Sequence, residues 1–410
     1  MTDPNNETQP RPLWEFVPAT AYTLPPSPVA YRVKGGIAGL IDKLKPAKEI
    51  PESPLQEELL QALPDRFRDY IAQAPDWQPA ALALDQKLNK WGQGGEQERM
   101  TVAVVSPPHV ANGAILKHFS NIRSWRVIPP PTAEQIANAD TSWLKAFTHM
   151  PSPWVLPNLE KCYLRHYRGL ALVRQLFVLL HGGRAPQGII GCDSWAWAYF
   201  QRVMPELLPT PITLQAFDPM RLVRWLRDLA PGFHGKQVRF RQSDNGNDVL
   251  PPPSTIKADS ENATTASQFV KNLAAFSRGI PGVAWSIWGS ALRSLPEDTD
   301  SSCKDPVDTS DDQTTIWLPP WEQLEVPIRS SNLDKLELLV LHNILLHAGL
   351  SLEKLQQVSS FTATECSLAL SALKNAGYLE YQSNVWQVTA AAYPTARQMI
   401  KSQGYLTDAF

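Results

Sequence analysis

The sequence predicts an α/β protein: a mostly parallel sheet flanked by helices, then a pair of apolar helices, then a helix-rich unit at the carboxyl end. Three observations carry this. Short apolar runs at Val102–Val105, Trp154–Leu156, Ile189–Cys192 and Leu214–Ala216 alternate with segments whose apolar residues recur at three- and four-residue spacing. Strands separated by helices need crossover connections, and crossovers place parallel neighbours in one sheet. The stretch FSRGIPGVAWSIW sets a helix-stopping Gly279 and a helix-opening Pro281 between two apolar helices. From Leu333 onward, helix caps and two short strand patterns follow one another closely.

Composition narrows the functional classes. The chain has 410 residues, enough for two or three domains, and a formal net charge of −2, which excludes a globally basic nucleic-acid binder and leaves only a local basic face open. Its 37 prolines and 14 tryptophans set long connections between aromatic-rich cores. The cysteines Cys162, Cys192, Cys303 and Cys366 are far apart with no CxxC pair, so neither a disulfide framework nor a zinc site is expected, and a reducing compartment is. The amino terminus lacks a signal-peptide pattern, and the run around Leu170–Leu180 is interrupted by Arg174. A cytoplasmic location without membrane insertion is the expectation.

In chain order, residues 1–54 read as a Pro-rich irregular arm, with a short helical piece at Gly39–Leu44 and a basic cluster of Arg32, Lys34, Lys43, Lys45 and Lys48. Residues 55–95 read as a helical lead-in closed by Gly92–Gly95. The stretch TVAVVSPPHVANGAILKHF, Thr101–Phe119, has the grammar strand, loop, helix. This is the outline of a phosphate-binding loop, G-x-x-x-x-G-K-[ST], whose glycines admit backbone N–H groups to phosphate, whose lysine meets the β/γ-phosphates and whose hydroxyl binds magnesium. On that template Ser106 and Ala111 stand at the glycine positions, Asn112 at the lysine and Gly113 at the hydroxyl, with His109 inside the loop. The same window fits an ordinary strand-to-helix turn.

Asn158 and Glu160 follow the Trp154–Leu156 strand, where nucleotide-hydrolysing proteins carry acidic groups for magnesium and water. The aspartate is missing, so Glu160 is read as structural or as an ion-pair partner of Arg165 or His166. Cys162 and His166 share a helical face at four-residue spacing without a second pair to complete a metal site. Asp193-Ser194 at the tip of the Gly188–Cys192 strand fits either a polar strand tip beside the loop or a nucleophile elbow, and no downstream histidine supports the elbow. Arg221, Arg224 and Arg227, with Lys236, Arg239 and Arg241 beyond, make residues 221–241 the most basic stretch, fit for an anionic partner or for the outer side of an amphipathic helix.

At the carboxyl end, Leu333–Leu346, a helix capped by Ser351, a helix opened by the Thr362-x-x-Glu365 box, and a YLEYQ/VWQVT hairpin turning at Ser383-Asn384 make a winged helix-turn-helix, with a last helix at Tyr393–Ser402. Its third helix offers only Lys374 against Glu365, a poor match to DNA phosphates, so protein docking is the expected use.

This order of elements, from loop through the WVLPNLE strand, the IIGCDSWAW strand tip and the FSRGIPGVAWSIW lid to the winged helix, resembles the AAA+ and STAND class of P-loop proteins. The resemblance implies a P-loop-NTPase-like parallel sheet with a helical lid and a winged helix, and it puts Arg278 where such proteins carry their second sensor. It divides the chain into 1–54, 55–95, a degenerate α/β core at 96–242, a lid at 263–295, an acidic linker at 296–314 and a winged helix at 330–410. Ser106, His109, Ala111, Asn112 and Gly113 then form a vestigial loop, with Glu160, Asp193 and Arg278 nearby. The expectation is a non-hydrolysing regulatory or scaffold protein with a protein partner, no metal and no cofactor. A nucleotide-binding switch using ATP and a DNA-binding regulator are the alternatives.

Overall fold

The computed structural model describes residues 12–26, 60–89, 101–149, 152–230, 237–251, 266–295, 313–324 and 333–410. The basic cluster Arg32–Lys48, the Gly39–Leu44 piece, Gly92–Gly95, Lys236 and Cys303 lie outside these residues, as does most of the acidic linker. The chain divides into two compact units.

The larger unit takes Trp14–Thr23, Asp76–Gln215 and Val326–Phe410. It contains β1 (Phe16–Pro18), α1 (Gln78–Asn89), β2 (Thr101–Ser106), α2 (Asn112–Arg123), β3 (Arg126–Val127), α3 (Ala133–Asn138), β4 (Trp154–Leu156), α4 (Ala171–His181), β5 (Gly188–Asp193), α5 (Ser194–Val203) and β6 (Ile212–Leu214). The strands form one six-stranded sheet in the order β1-β6-β2-β5-β4-β3. All pairings are parallel except that of β1, which runs antiparallel to β6 at the edge. Ala103, Val104, Val105, Trp154, Val155 and Leu156 are fully buried, as continuous apolar strands covered on both faces must be.

The strand order locates a crevice. From β2 the chain crosses to the far edge at β3, whereas from β5 it returns past β2 to β6, so right-handed crossovers put α2 and α5 on opposite faces. In open α/β sheets such a reversal opens a crevice at the carboxyl ends of the two neighbouring strands.

The same unit ends in α6 (Lys335–Leu346), α7 (Leu352–Val358), α8 (Ala363–Asn375), the hairpin β7 (Leu379–Gln382) and β8 (Val385–Val388), and α9 (Tyr393–Ser402). Asp334 and Thr362 close capping boxes with Glu337 and Glu365, and Ser351 caps α7, satisfying amide donors that each helix start leaves open. Ser383 and Asn384, both with positive φ, turn the hairpin in two residues.

The smaller unit takes Ala216–Glu325 with parts of the amino-terminal third. It holds a four-stranded sheet, Gln61–Ala62, Arg293–Ser294, Gln313–Leu318 and Gln237–Gln242, whose last two strands pair in parallel. Helices Gln268–Phe276 and Pro281–Ala291 are joined through Gly279, whose φ of +70° suits glycine, and a Cβ there would lie 2.7 Å from the Phe217 backbone.

Several expectations change. Residues 221–241 are not one helix: Pro219–Asp228 is helical with Arg221 buried, whereas Arg239 and Arg241 stand on a strand, Arg239 paired with Asp248 and Arg241 over the Trp317 ring. Gln313 and Thr314, read as linker, belong to a strand. The strand expected at Leu214–Ala216 lies at Ile212–Leu214, and Gln215 follows it with its amide donating to the Glu15 carbonyl at 2.8 Å and its side chain to the Thr23 carbonyl at 2.5 Å. Cys162 and His166 share no helical face: Leu159–Lys161 is one turn of 3₁₀ helix, and the next helix starts at Ala171.

Candidate functional site

The site lies where β2 and β5 end side by side, with Ser106 in register with Asp193. Past β2 the chain turns through residues 107–111 with positive φ at His109 (65°) and Ala111 (55°), and α2 begins without a side-chain cap. A left-handed backbone at a residue with a Cβ is strained, and the proline pair before it supplies no amide donors.

Asn112, at the lysine position, turns its side chain into the sheet. Its Nδ2 donates to the Val104 carbonyl at 3.0 Å and to the Cys192 carbonyl at 3.4 Å, tying the ends of β2 and β5 together. Gly113 packs closely on a neighbour: a Cβ there would lie 3.0 Å from the side-chain Nδ2 of Asn158. Asn158 in turn donates to Glu160 Oε1 at 2.8 Å, and the Asp193 amide donates to Glu160 Oε2 at 3.1 Å. Glu160 is therefore held by hydrogen bonds to Asn158 and the β5 tip, and the expected ion pair with Arg165 or His166 is replaced by these contacts.

Electrostatics at this end run against anions. Burial raises the Glu160 carboxyl, and burial followed by the Glu160 charge raises Asp193 well above the ordinary carboxylate range. A buried and a half-buried carboxyl so close hold on to protons as a pair. His109 is pushed down to about 4 by burial, leaving a neutral ring at physiological pH. Three buried polar atoms of the loop, Ser106 Oγ, His109 Nε2 and Asn112 Oδ1, have no protein hydrogen-bond partner.

The carboxyl-terminal helices close over this end. Tyr393, the first residue of α9, meets the His109 ring edge-on with centroids 5.8 Å apart. Its hydroxyl accepts from Trp195 Nε1 at 3.0 Å and donates to Asp408 Oδ2 at 3.2 Å. Ser194 Oγ donates to the same oxygen at 2.6 Å, and Arg397 Nε donates to Oδ1 at 2.6 Å. Alongside, the Arg165 amide donates to His347 Nε2 at 3.0 Å, which requires the tautomer protonated on Nδ1, bonded to the Asn343 carbonyl at 2.8 Å. Tyr163 stacks on His347 and donates to the Leu346 carbonyl at 2.5 Å.

Of the residues singled out from sequence, Ser106, His109, Ala111, Asn112, Gly113, Glu160 and Asp193 share this corner. Arg278 belongs to the other unit, with φ at +57° just before Gly279. Sequence reasoning did not find Tyr393, Arg397 and Asp408. Their only local signal is a pair of charges in otherwise apolar stretches, and that pattern is too common to mark a site. Among the described residues no group of three or more His, Cys, Asp or Glu could hold a metal ion, and no helix is long and apolar enough to cross a membrane.

No protein-family model and no curated protein matches this chain. Solved structures give distant likenesses. The Thermotoga maritima RuvB Holliday junction branch migration motor matches at 13% identity over 79% of this chain and 95% of that one, with a TM-score of 0.28. The C. elegans PCH-2 structure matches at 13% identity over 66% of this chain and 73% of that one, with a TM-score of 0.29.

Proposed function

We propose that this chain is a non-hydrolysing regulatory or scaffold protein, a pseudo-ATPase on a core of AAA+/STAND type with a winged helix at 330–410, which works by holding a protein partner in a reducing, cytoplasmic setting. The observation that carries the reading is the side chain of Asn112. Phosphoryl transfer depends on positioned positive charge, and the residue at the lysine position is neutral, with its only donor group spent on the Val104 and Cys192 carbonyls. The residues present do not fit a magnesium triphosphate: Gly113 brings no hydroxyl, and the neighbouring carboxyls are the buried Glu160 and the half-buried Asp193.

The partner reading draws on helix α8 and the hairpin. Leu368 on α8 is 66% exposed and Tyr381 on β7 is 53% exposed, whereas α8 carries Lys374 as its one cation. Groove binding to duplex DNA needs several positive side chains on that helix, so DNA recognition is the weaker use. The nucleotide-switch reading draws on the three unpartnered atoms of the loop.

Calorimetric titration with Mg-ATP beside a phosphate-release assay tests the proposal. No turnover and no micromolar binding are expected. Micromolar binding abolished by Asn112→Ala would favour the switch, and turnover lost in Glu160→Gln would end the pseudo-ATPase reading. Isolation of native complexes with the full chain is expected to recover a protein partner, and salt-sensitive binding of duplex DNA would favour the DNA-binding alternative.

A further inference from the structure

The last residues of the chain do more than finish a helix. After α9 the chain reverses at Gly404, whose φ is +75°, and Tyr405–Phe410 return along α6. Tyr405 lies against the His342 ring, the Leu406 carbonyl is 3.0 Å from His342 Nε2, and Phe410 meets Tyr22 edge-on at 5.0 Å. Between these contacts Asp408 is buried, its side chain fully enclosed.

Asp408 is the common acceptor for parts of the molecule far apart in sequence. Ser194 on α5, Tyr393 and Arg397 on α9 all donate to its carboxylate, and Arg397 Nη2 also donates to its backbone carbonyl at 2.8 Å. A buried carboxylate with three donors has no water to fall back on, so removing it leaves a buried guanidinium and two hydroxyls unpaired at once. Tyr393 couples this cluster to the loop, because the ring oriented by Asp408 and Trp195 is the one lying against His109.

We infer that Tyr405–Phe410 is a latch, keyed by Asp408, that keeps Tyr393 seated over the Ser106–Asn112 loop, and that release of the tail uncovers Ser106, His109 and Asn112. The inference stands whether or not the loop takes a nucleotide, since it concerns access and not the ligand.

Hydrogen exchange of the full-length protein tests it. In Asp408→Asn, one acceptor oxygen becomes an amide that faces donors, and exchange at 106–113, in the first turn of α5 and across 393–410 is expected to rise about ten-fold while β4 and the interior of β2 stay protected. Phe410→Ala, which removes the buried ring that meets Tyr22, is expected to give the same pattern at smaller amplitude. A rise spread evenly over the larger unit in both variants would make Asp408 a general stabiliser and overturn the latch. So would faster exchange at the tail in Phe410→Ala with none at 106–113.

Discussion

Two strand-to-helix turns stand side by side in this protein and were built by opposite rules. The turn after β5 is fully provided for: Asp193 Oδ1 accepts from the Trp195 amide at 2.9 Å, and Ser194 donates to Asp408. The turn after β2 is not: two left-handed residues, no cap for α2, and three buried polar atoms without partners. Unsatisfied and strained groups are costly, and they persist where a surrounding scaffold holds them in place. The provided turn is a structural joint. The unprovided one joins β2 to α2 with buried polar atoms left unspent.

Breaking the joint should have the largest effect. Arg397→Met leaves the Asp408 carboxylate buried without its cation, a loss of about 3–5 kcal/mol, read as a lower urea midpoint. Acid should come next. In the folded protein His109, His342 and His347 stay neutral, with values near 4 against an ordinary 6.5. Below pH 6.5 the unfolded chain therefore takes up protons that the folded chain refuses, and stability falls as pH drops towards 4, with no such penalty at pH 7.5. For His347, where a proton on Nε2 would face the Arg165 amide, the full cost is about 3 kcal/mol. Glu160 and Asp193 act in the other sense, because their raised values penalise the fold at neutral pH and the penalty is relieved as they protonate. Urea midpoints at pH 7.5 and 5.5 are expected to drop on acidification in the parent and to drop less in His347→Gln.

Smaller changes sharpen the contrast between the turns. Asn112→Ala removes the amide shared by Val104 and Cys192 and should cost about 1–3 kcal/mol, a larger loss than an exposed asparagine would show in the same melt. Glu160→Gln removes a buried charge but turns an amide towards the Asn158 or Asp193 donor, so the thermal midpoint should fall, and fall less at pH 7.5 than at pH 4, where the parent pair is relieved by protonation. Ala111→Gly should add about 0.5 kcal/mol by removing the Cβ from a left-handed position, a gain absent from Ala196→Gly in the middle of α5.

The helices Gln268–Phe276 and Pro281–Ala291, the caps at Ser351 and Thr362, and four of the six strands of the sheet, one of them shifted by two residues, could be read from sequence because each rests on a local signal: a glycine, a capping side chain, a run of apolar residues. The loop could be read for the same reason, as a spacing on a strand-to-helix turn. Where Asn112 points was not legible, since either direction suits the same local pattern, and only the parallel pairing of β2 with β5 brings two strand-end carbonyls within reach of one amide.

Local periodicity and capping chemistry thus set the elements and their order from the sequence alone, because those signals act within a few residues of chain. Tertiary structure decided the rest. It split the chain so that Arg278 and the loop fall in different units, and it brought Ser194 and Asp408, 214 positions apart, to 2.6 Å. A contact of that span leaves no periodic trace, because its energy comes from burying a carboxylate among donors that only the finished fold assembles.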